Sequence, residues 1–104
     1  MNISTAFGAG RLTVFLSGEL DHHEARGTVC AIDELLDEYL PRECVLDMSE
    51  LSFMDSSGIA IIIRVSRRMK TVGGKAWIEN PSKQALRVLD ASGVERLVPV
   101  AMSR

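Results

Sequence analysis

The sequence predicts a single α/β domain, a mixed four- to five-stranded sheet with helices packed on it. Apolar residues alternate with a period of two near the N-terminus and recur with helical spacing in the middle of the chain. Strand-like and helix-like segments also follow one another along its length. The 104 residues, 46% of them hydrophobic, suit one core, and no repeat or linker divides the domain, which we assign to residues 1–104.

The chain is predicted to begin with a β-hairpin. Two strand-like runs, Ile3–Phe7 and Leu12–Ser17, flank the turn residues Gly8-Ala9-Gly10. In the second run, apolar and other side chains alternate at every step, as expected of a strand with one buried face.

An amphipathic helix is predicted next, ending before Pro41. Its apolar residues recur at steps of four and three: Ala25, Val29, Ile32, Leu36 and Tyr39. The short apolar run Cys44–Met48 then predicts a buried strand, which we expect to be followed by a polar turn.

A central helix is predicted over Gly58–Val72, with Gly73-Gly74 at its end. Because Ile59–Ile63 is apolar on every side, this helix should be buried against more than one neighbour. The run Ala76–Glu79 then predicts a strand, and a strand–helix–strand unit with short connections gives a parallel, right-handed crossover. A parallel crossover together with the hairpin gives a mixed sheet.

The last part of the chain is predicted to form a third helix and a short strand. Pro81 suits the first helical position, and Gly93 lies where a C-terminal cap belongs. We place the final strand at Leu97–Val100.

Composition limits the function classes. A net charge of -2 provides no cationic excess for phosphate neutralisation, so we expect no direct nucleic-acid binding. Residues 1–10 lack the features of a signal peptide, and no apolar run approaches the roughly 20 residues that span a bilayer, so we expect a cytoplasmic protein without membrane contact. Cys30 and Cys44 have no metal or redox spacing and are predicted to be buried, reduced thiols.

Two polar segments, 18–23 and 53–58, each lie between a predicted strand and a predicted helix. Ligands and partners usually bind at the carboxyl edge of an open α/β sheet, so these segments are expected to lie side by side. The second segment places Asp55, Ser56 and Ser57 at a helix start, where backbone N–H groups and the helix dipole favour negative charge.

Helix capping also explains these residues. Ser and Asp are the preferred N-caps, and Asp21 with Glu24 has the spacing of a capping box. Gly58 could simply permit tight packing. From the pattern alone, capping is therefore favoured over function.

Further kinds of site chemistry are disfavoured, and we predict no catalytic residue, metal site or cofactor. His22 and His23 are adjacent, point in different directions on a helix and have no further ligand to complete a zinc set. No Gly-x-Ser-x-Gly elbow surrounds Ser57, and Gly73-Gly74-Lys75 lacks P-loop spacing. For the basic stretch of the central helix, a solvated face is favoured over a docking site for an acidic partner; it comprises Arg64, Arg67, Arg68 and Lys70.

Two segments, taken together, form a pair of motifs specific enough to indicate a protein family. Gly18-Glu19-Leu20-Asp21-His22-His23 and Leu51-Ser52-Phe53-Met54-Asp55-Ser56-Ser57-Gly58 closely resemble the paired signatures of the anti-sigma-F factor antagonists of the sporulation switch, a STAS-domain family. Similarity continues through Gly73-Gly74 and 91–94, so that it covers nearly the whole chain and implies a STAS-like fold.

This resemblance implies that Ser57 is phosphorylated by an anti-sigma factor that is also a serine kinase. The unphosphorylated protein would bind that kinase and release the sigma factor, and a dedicated protein phosphatase would regenerate it. Asp21 matches the family's acidic residue beside the phosphorylation site. The partner-binding residues expected from the two segments are Asp21, His22, His23, Asp55, Ser56 and Gly58.

The sequence leaves more than one role open. The general stress-response branch of the family often has threonine at the matched position and lacks the double histidine, so Ser57 and His22-His23 favour the sporulation branch. Two further roles are a STAS scaffold module and, with less support, a nucleotide-hydrolysing enzyme. In one respect the sequence departs from the family pattern: only four residues follow Val100, whereas these antagonists usually continue into a further C-terminal helix.

Overall fold

The computed structural model describes residues 1–102, which form a five-stranded mixed sheet in the order β1-β2-β3-β4-β5. Strands β1 and β2 form the antiparallel hairpin, and every later pair is parallel. The strands are β1 Asn2–Gly8, β2 Arg11–Leu20, β3 Glu43–Met54, β4 Lys75–Glu79 and β5 Val100–Ala101. The helices are α1 His22–Tyr39, α2 Ser56–Thr71 and α3 Lys83–Ser92, followed by a 3₁₀ turn at Val94–Arg96.

The core lies between one face of the sheet and the helices. Alternate residues of β2 and β3 point to this face, and paired positions such as Val14 and Leu46 are at most 1% exposed. Ile32 of α1, Ile62 of α2 and Leu89 of α3 belong to the same buried cluster. The predicted α/β class with a mixed sheet is therefore confirmed.

Strand β3 is longer than the sequence analysis predicted. The prediction of a polar turn after Met48 is wrong, because the strand continues to Met54 and Leu51 is buried within it. Its pairing with β2 shifts register between Phe15 and Ser17 and then resumes. Polar residues in this stretch occupy exposed strand positions rather than a turn.

Other boundaries also differ. Strand β2 continues to Leu20 rather than ending at Ser17, so the first half of segment 18–23 belongs to the strand. Pro81 is not the first helical residue, because Ser82 is the N-cap of α3 and accepts a hydrogen bond from the Ala85 N–H. The last strand begins at Val100 rather than Leu97, since the 3₁₀ turn comes first. Helix α2 begins at Ser56, two residues before the predicted start. The predicted cap at Gly93 is confirmed, with φ of 73°.

The two cysteines have different environments. Cys44 is fully buried, and burial raises the pKa of its thiol to about 12. Cys30 is exposed, so its predicted burial is wrong. It follows Val29 by one residue, and a step of about 100° on a helix moves it off the apolar stripe.

Within residues 1–102, no helix is both long enough and apolar enough to cross a membrane.

Candidate functional site

The two polar segments meet at one edge of the sheet. Strands β2 and β3 are parallel, and their last residues, Leu20 and Met54, are direct partners. The Asp55 N–H donates to the Leu20 carbonyl at 3.3 Å. Asp21 and Asp55 therefore start their helices side by side, as the topology argument predicted.

Both aspartates are N-caps. The Asp21 carboxylate accepts hydrogen bonds from the N–H groups of His23 and Glu24, at 3.0 and 3.1 Å. Asp55 accepts from the Ser57 N–H at 2.8 Å. N-capping is confirmed for both aspartates. The capping box of Asp21 and Glu24 is not formed: within residues 1–102 the Asp21 N–H has no bond to the Glu24 carboxylate, which lies 3.7 Å from the amino group of Met1. Each carboxylate offsets free N–H groups at its helix start.

Ser57 is the second residue of α2 and is half-buried, whereas Ser56 is exposed. Among the described residues, the Ser57 hydroxyl has no hydrogen-bond partner. It lines a groove of about 450 Å³ between α1 and α2, with Arg26 on one side and Arg64 further along α2. Ser57 thus borders the same groove as two cations.

Gly58 is buried where α2 meets the end of β3. A Cβ at this position would lie 2.4 Å from Cγ and 2.5 Å from Sδ of Met54, and 3.4 Å from Cδ2 of Leu20. The glycine therefore allows the first turn of α2 to sit directly on the strand end. Any effect of Gly58 on a partner would act through the placement of Ser57.

His22 and His23 are exposed in the first turn of α1. The prediction that their side chains point in different directions is wrong, because their rings lie against each other with centroids 4.0 Å apart. Phe53, at the end of β3, is also exposed, by 41%. Residues 1–102 contain no group of three or more His, Cys, Asp and Glu that could hold a metal ion. Hydroxyl, carboxylate, imidazole and aromatic side chains thus all occur where β2 and β3 end and α1 and α2 begin.

A family model of the STAS domain matches residues 2–104. The chain belongs to the STAS domain family. Within the family it is of the anti-sigma factor antagonist type. It is 34% identical over 91 residues to the anti-sigma F factor antagonist of Paenibacillus polymyxa, an alignment that covers 88% of this chain and 78% of that one.

Two further relatives are also named anti-sigma factor antagonists. The anti-sigma F factor antagonist of Lysinibacillus sphaericus is 30% identical over 83 residues, covering 80% of this chain and 71% of that protein. The anti-sigma-B factor antagonist of Bacillus subtilis is 24% identical over 102 residues, covering 97% and 91%.

A solved structure of the anti-sigma factor antagonist SpoIIAA in its unphosphorylated form superposes with a TM-score of 0.81 at 25% identity, covering 98% of this chain and 90% of that one. SpoIIAA of Bacillus in the phosphorylated form gives a TM-score of 0.72, also at 25% identity, with coverages of 98% and 93%. The expected STAS-like fold is therefore confirmed.

One supporting residue of this STAS domain was not predicted. Gln84 of α3 binds both backbone groups of Met54: its Oε1 accepts from the Met54 N–H at 2.7 Å, and its Nε2 donates to the Met54 carbonyl at 3.0 Å. The last residue of β3 is thereby fixed one position before Asp55. No local sequence pattern signals this contact, because Gln84 and Met54 are 30 residues apart.

The basic stretch on α2 is partly neutralised within the domain. Arg64 bonds Asp33 of α1 at 2.9 Å, and Arg68 bonds both Asp33 and Asp37. The hydrogen bond from Arg64, with help from Arg68, holds the pKa of Asp33 below its usual value. The hydrogen bond to Asp37 raises the pKa of Arg68 in turn. The predicted solvated face is therefore also a link between two helices.

Proposed function

We propose that this STAS domain binds an anti-sigma factor and that phosphorylation of Ser57 by that anti-sigma factor, acting as a serine kinase, ends the binding. In the unphosphorylated state the domain would displace a sigma factor from its inhibitor. A protein phosphatase would restore this state. The domain would act in the cytoplasm as a regulator and kinase substrate, with no catalysis of its own.

The observation that carries this proposal is the position of the Ser57 hydroxyl. It lies in the first turn of α2, has no partner among residues 1–102, and borders the exposed edge of the sheet. A phosphoryl group there would meet the positive end of the helix dipole, so the fold should tolerate it. The switch would therefore act on the binding surface.

The binding surface would be built from the two capped helix starts. Asp21, His22 and His23 border it on α1, and Asp55 and Ser56 border it on α2. A partner that packs closely against Ser57 would have to desolvate a phosphate carrying about -1.5 to -2 charges next to two aspartates. A loss of about 2 to 3 kcal/mol would reduce the population of complex roughly 30- to 150-fold.

The sporulation branch is favoured over the general stress response. The two relatives named anti-sigma F factor antagonist are 34% and 30% identical, against 24% for the anti-sigma-B relative. Serine at position 57 and the His22-His23 pair point the same way. The sigma factor released would accordingly be the sporulation type.

The direct test is incubation of the domain with ATP and its anti-sigma kinase, followed by intact-mass and peptide mass spectrometry. One phosphate on the Ser57 peptide is expected in the wild type and in Ser56→Ala, and none in Ser57→Ala. Ser57→Ala should still bind the kinase, whereas Ser57→Asp should bind poorly.

Two results would contradict the proposal. Equal affinity of Ser57→Ala and Ser57→Asp for the kinase would remove the switch and favour a scaffold role. Turnover of ATP or GTP by the domain alone would instead indicate an enzyme.

A further inference from the structure

Ser57 shares a groove with two arginines from different helices. The floor of the groove is apolar and includes Val29 and Ile61, and its rim carries Arg26 of α1 and Arg64 of α2. An apolar floor lowers the local dielectric response, so a charge at the rim is less screened than in open water. Ser57, in the first turn of α2, lines the same groove.

Spacing along α2 places Arg64 on the same helix face as Ser57. Ser57, Ile61 and Arg64 follow one another at steps of four and three, which places them on one face of the helix. Arg64 lies seven positions after Ser57, about 10.5 Å along the axis. In the structure Arg64 extends to Asp33. Because helical side chains lean toward the N-terminus, its long arm would shorten the distance to Ser57 once it leaves Asp33.

Arg26 faces the same groove from α1 and has no carboxylate partner within residues 1–102. Arg64 is 58% exposed and is held by Asp33, which also has Arg68 as a second partner. Arg64 can therefore leave Asp33 without stranding that carboxylate. Arg26 therefore has no carboxylate to give up within residues 1–102, and Arg64 can be released from Asp33.

We propose that a phosphoryl group on Ser57 is bound within the domain itself by Arg26 and Arg64, and that Arg64 exchanges Asp33 for the phosphate. This rests on the proposed function, in that Ser57 is taken as the phosphorylated residue. Guanidinium groups bind phosphate through paired, charge-assisted hydrogen bonds. The two arginines would offset the repulsion from Asp55 and Asp21, the carboxylates at the two helix caps.

This arrangement gives the phosphorylated state a structural signature besides lost affinity. The phosphate would draw Arg64 toward the start of α2 and weaken one of the ion pairs that join α1 to α2. Because Arg64 is the leading cause of the lowered pKa of Asp33, that pKa should rise toward its usual value when Ser57 is phosphorylated.

The test installs phosphoserine at position 57 during translation, so no kinase is needed. The pH dependence of the ³¹P signal is then measured in the wild type, Arg26→Gln and Arg64→Gln. The pKa of the phosphate is expected to be higher in both variants, because each removes a cation. Arg67→Gln, which removes the same charge one helical turn further on, is the matched control and should leave that pKa close to the wild type.

Because His22 and His23 lie at the same edge of the sheet as Ser57, the series is repeated with both replaced by glutamine. The same phosphate pKa in wild type, Arg26→Gln and Arg64→Gln would overturn the inference, as would an unchanged pKa of Asp33 in the phosphorylated chain. If Arg26→Gln or Arg64→Gln weakened kinase binding without changing the pKa of the phosphate, the inference would fail and the groove would instead be part of the surface that binds the kinase. If the kinase fails to phosphorylate Ser57, the proposed function fails separately, since the installed phosphate reports on the arginines alone.

Discussion

Gly58 and Met54 are packed so closely that a methyl group on the glycine would lie within 2.5 Å of both Cγ and Sδ of the methionine. Met54 is fully buried at the end of β3, and Gln84 holds its backbone on the other side. The start of α2, and with it Ser57, is therefore positioned by contacts among three elements.

Gly58→Ala is expected to destabilise the domain by about 1 to 3 kcal/mol, the usual result of overpacking a core. Gly27→Ala is the matched control, since nothing lies within 4 Å of a Cβ at that position in α1, and alanine there should stabilise by roughly 0.5 to 1 kcal/mol. Urea unfolding of both variants measures the difference. If Met54 is the obstacle, the combined loss in the double variant Gly58→Ala with Met54→Ala should be smaller than the sum of the two single losses, and simple additivity would contradict this account.

Gln84→Ala should loosen the end of β3. It leaves the Met54 N–H and carbonyl without their side-chain partners, at a cost of about 1 to 3 kcal/mol. Hydrogen exchange at the Met54 amide should quicken in the variant, while the Leu46 amide in the middle of β3 keeps its protection relative to global unfolding. Unchanged exchange at Met54 would mean that Gln84 does not hold this strand end.

Sequence patterns are sufficient for the architecture because local rules govern it. Alternation predicts the hairpin, 3.6-residue periodicity predicts the helices, and the positive φ at Gly73 and Gly93 matches their predicted roles as helix ends. Because parallel strands end at a common carboxyl edge, the topology alone predicts that Asp21 lies beside Asp55.

The failures are at positions decided by tertiary contacts. Strand β3 continues past Met48 because β2 resumes its pairing after an irregularity, which no local pattern encodes. The Gln84 contact and the pairing of Arg64 with Asp33 each join residues about 30 positions apart. The groove at Ser57 depends on how α1 packs against α2, so Arg26 could not be associated with Ser57 from the sequence.

Asp21 combines a structural role with a proposed binding role, and two substitutions separate them. Asp21→Ala should lower the stability by about 1 kcal/mol through loss of the cap, and Asp21→Ser should retain most of it, since serine caps nearly as well. Both lack the carboxylate, so both should bind the anti-sigma factor more weakly than the wild type. Thermal unfolding and titration calorimetry measure the two effects. Full affinity in Asp21→Ser would leave Asp21 with a capping role only.

Asp33 should make the stability depend on acid pH. Its pKa is lowered in the folded state, chiefly by the hydrogen bond from Arg64, so it stabilises the fold above its usual pKa near 3.8 and loses that effect as the pH falls further. The pair is on the surface, so the effect should stay below about 1 kcal/mol. Asp33→Asn should be less stable than the wild type at pH 7, with the gap closing near pH 2. Asp90 is exposed and has no ion pair within residues 1–102, so the control variant Asp90→Asn should be about as stable as the wild type at either pH. If Asp33→Asn remained less stable than the wild type in acid, the lost stability would come from packing rather than from the ion pair.

The cysteines should react at very different rates. The thiolate is the nucleophile, and burial raises the pKa of Cys44 to about 12, so almost none is ionised at pH 8 and iodoacetamide cannot reach it. Cys30 is exposed on α1 and should be alkylated readily. Mass spectrometry is expected to find one adduct on the folded wild type, two in denaturant, and none on folded Cys30→Ser. Rapid alkylation of both cysteines in the folded wild type would contradict this expectation and would show that β3 opens often enough to expose its core side.

The raised pKa of Cys44 also makes the stability depend on alkaline pH. The unfolded chain ionises Cys44 near its usual pKa of 9.0 while the folded chain does not, so the free energy of unfolding should fall as the pH rises from about 9 toward 12.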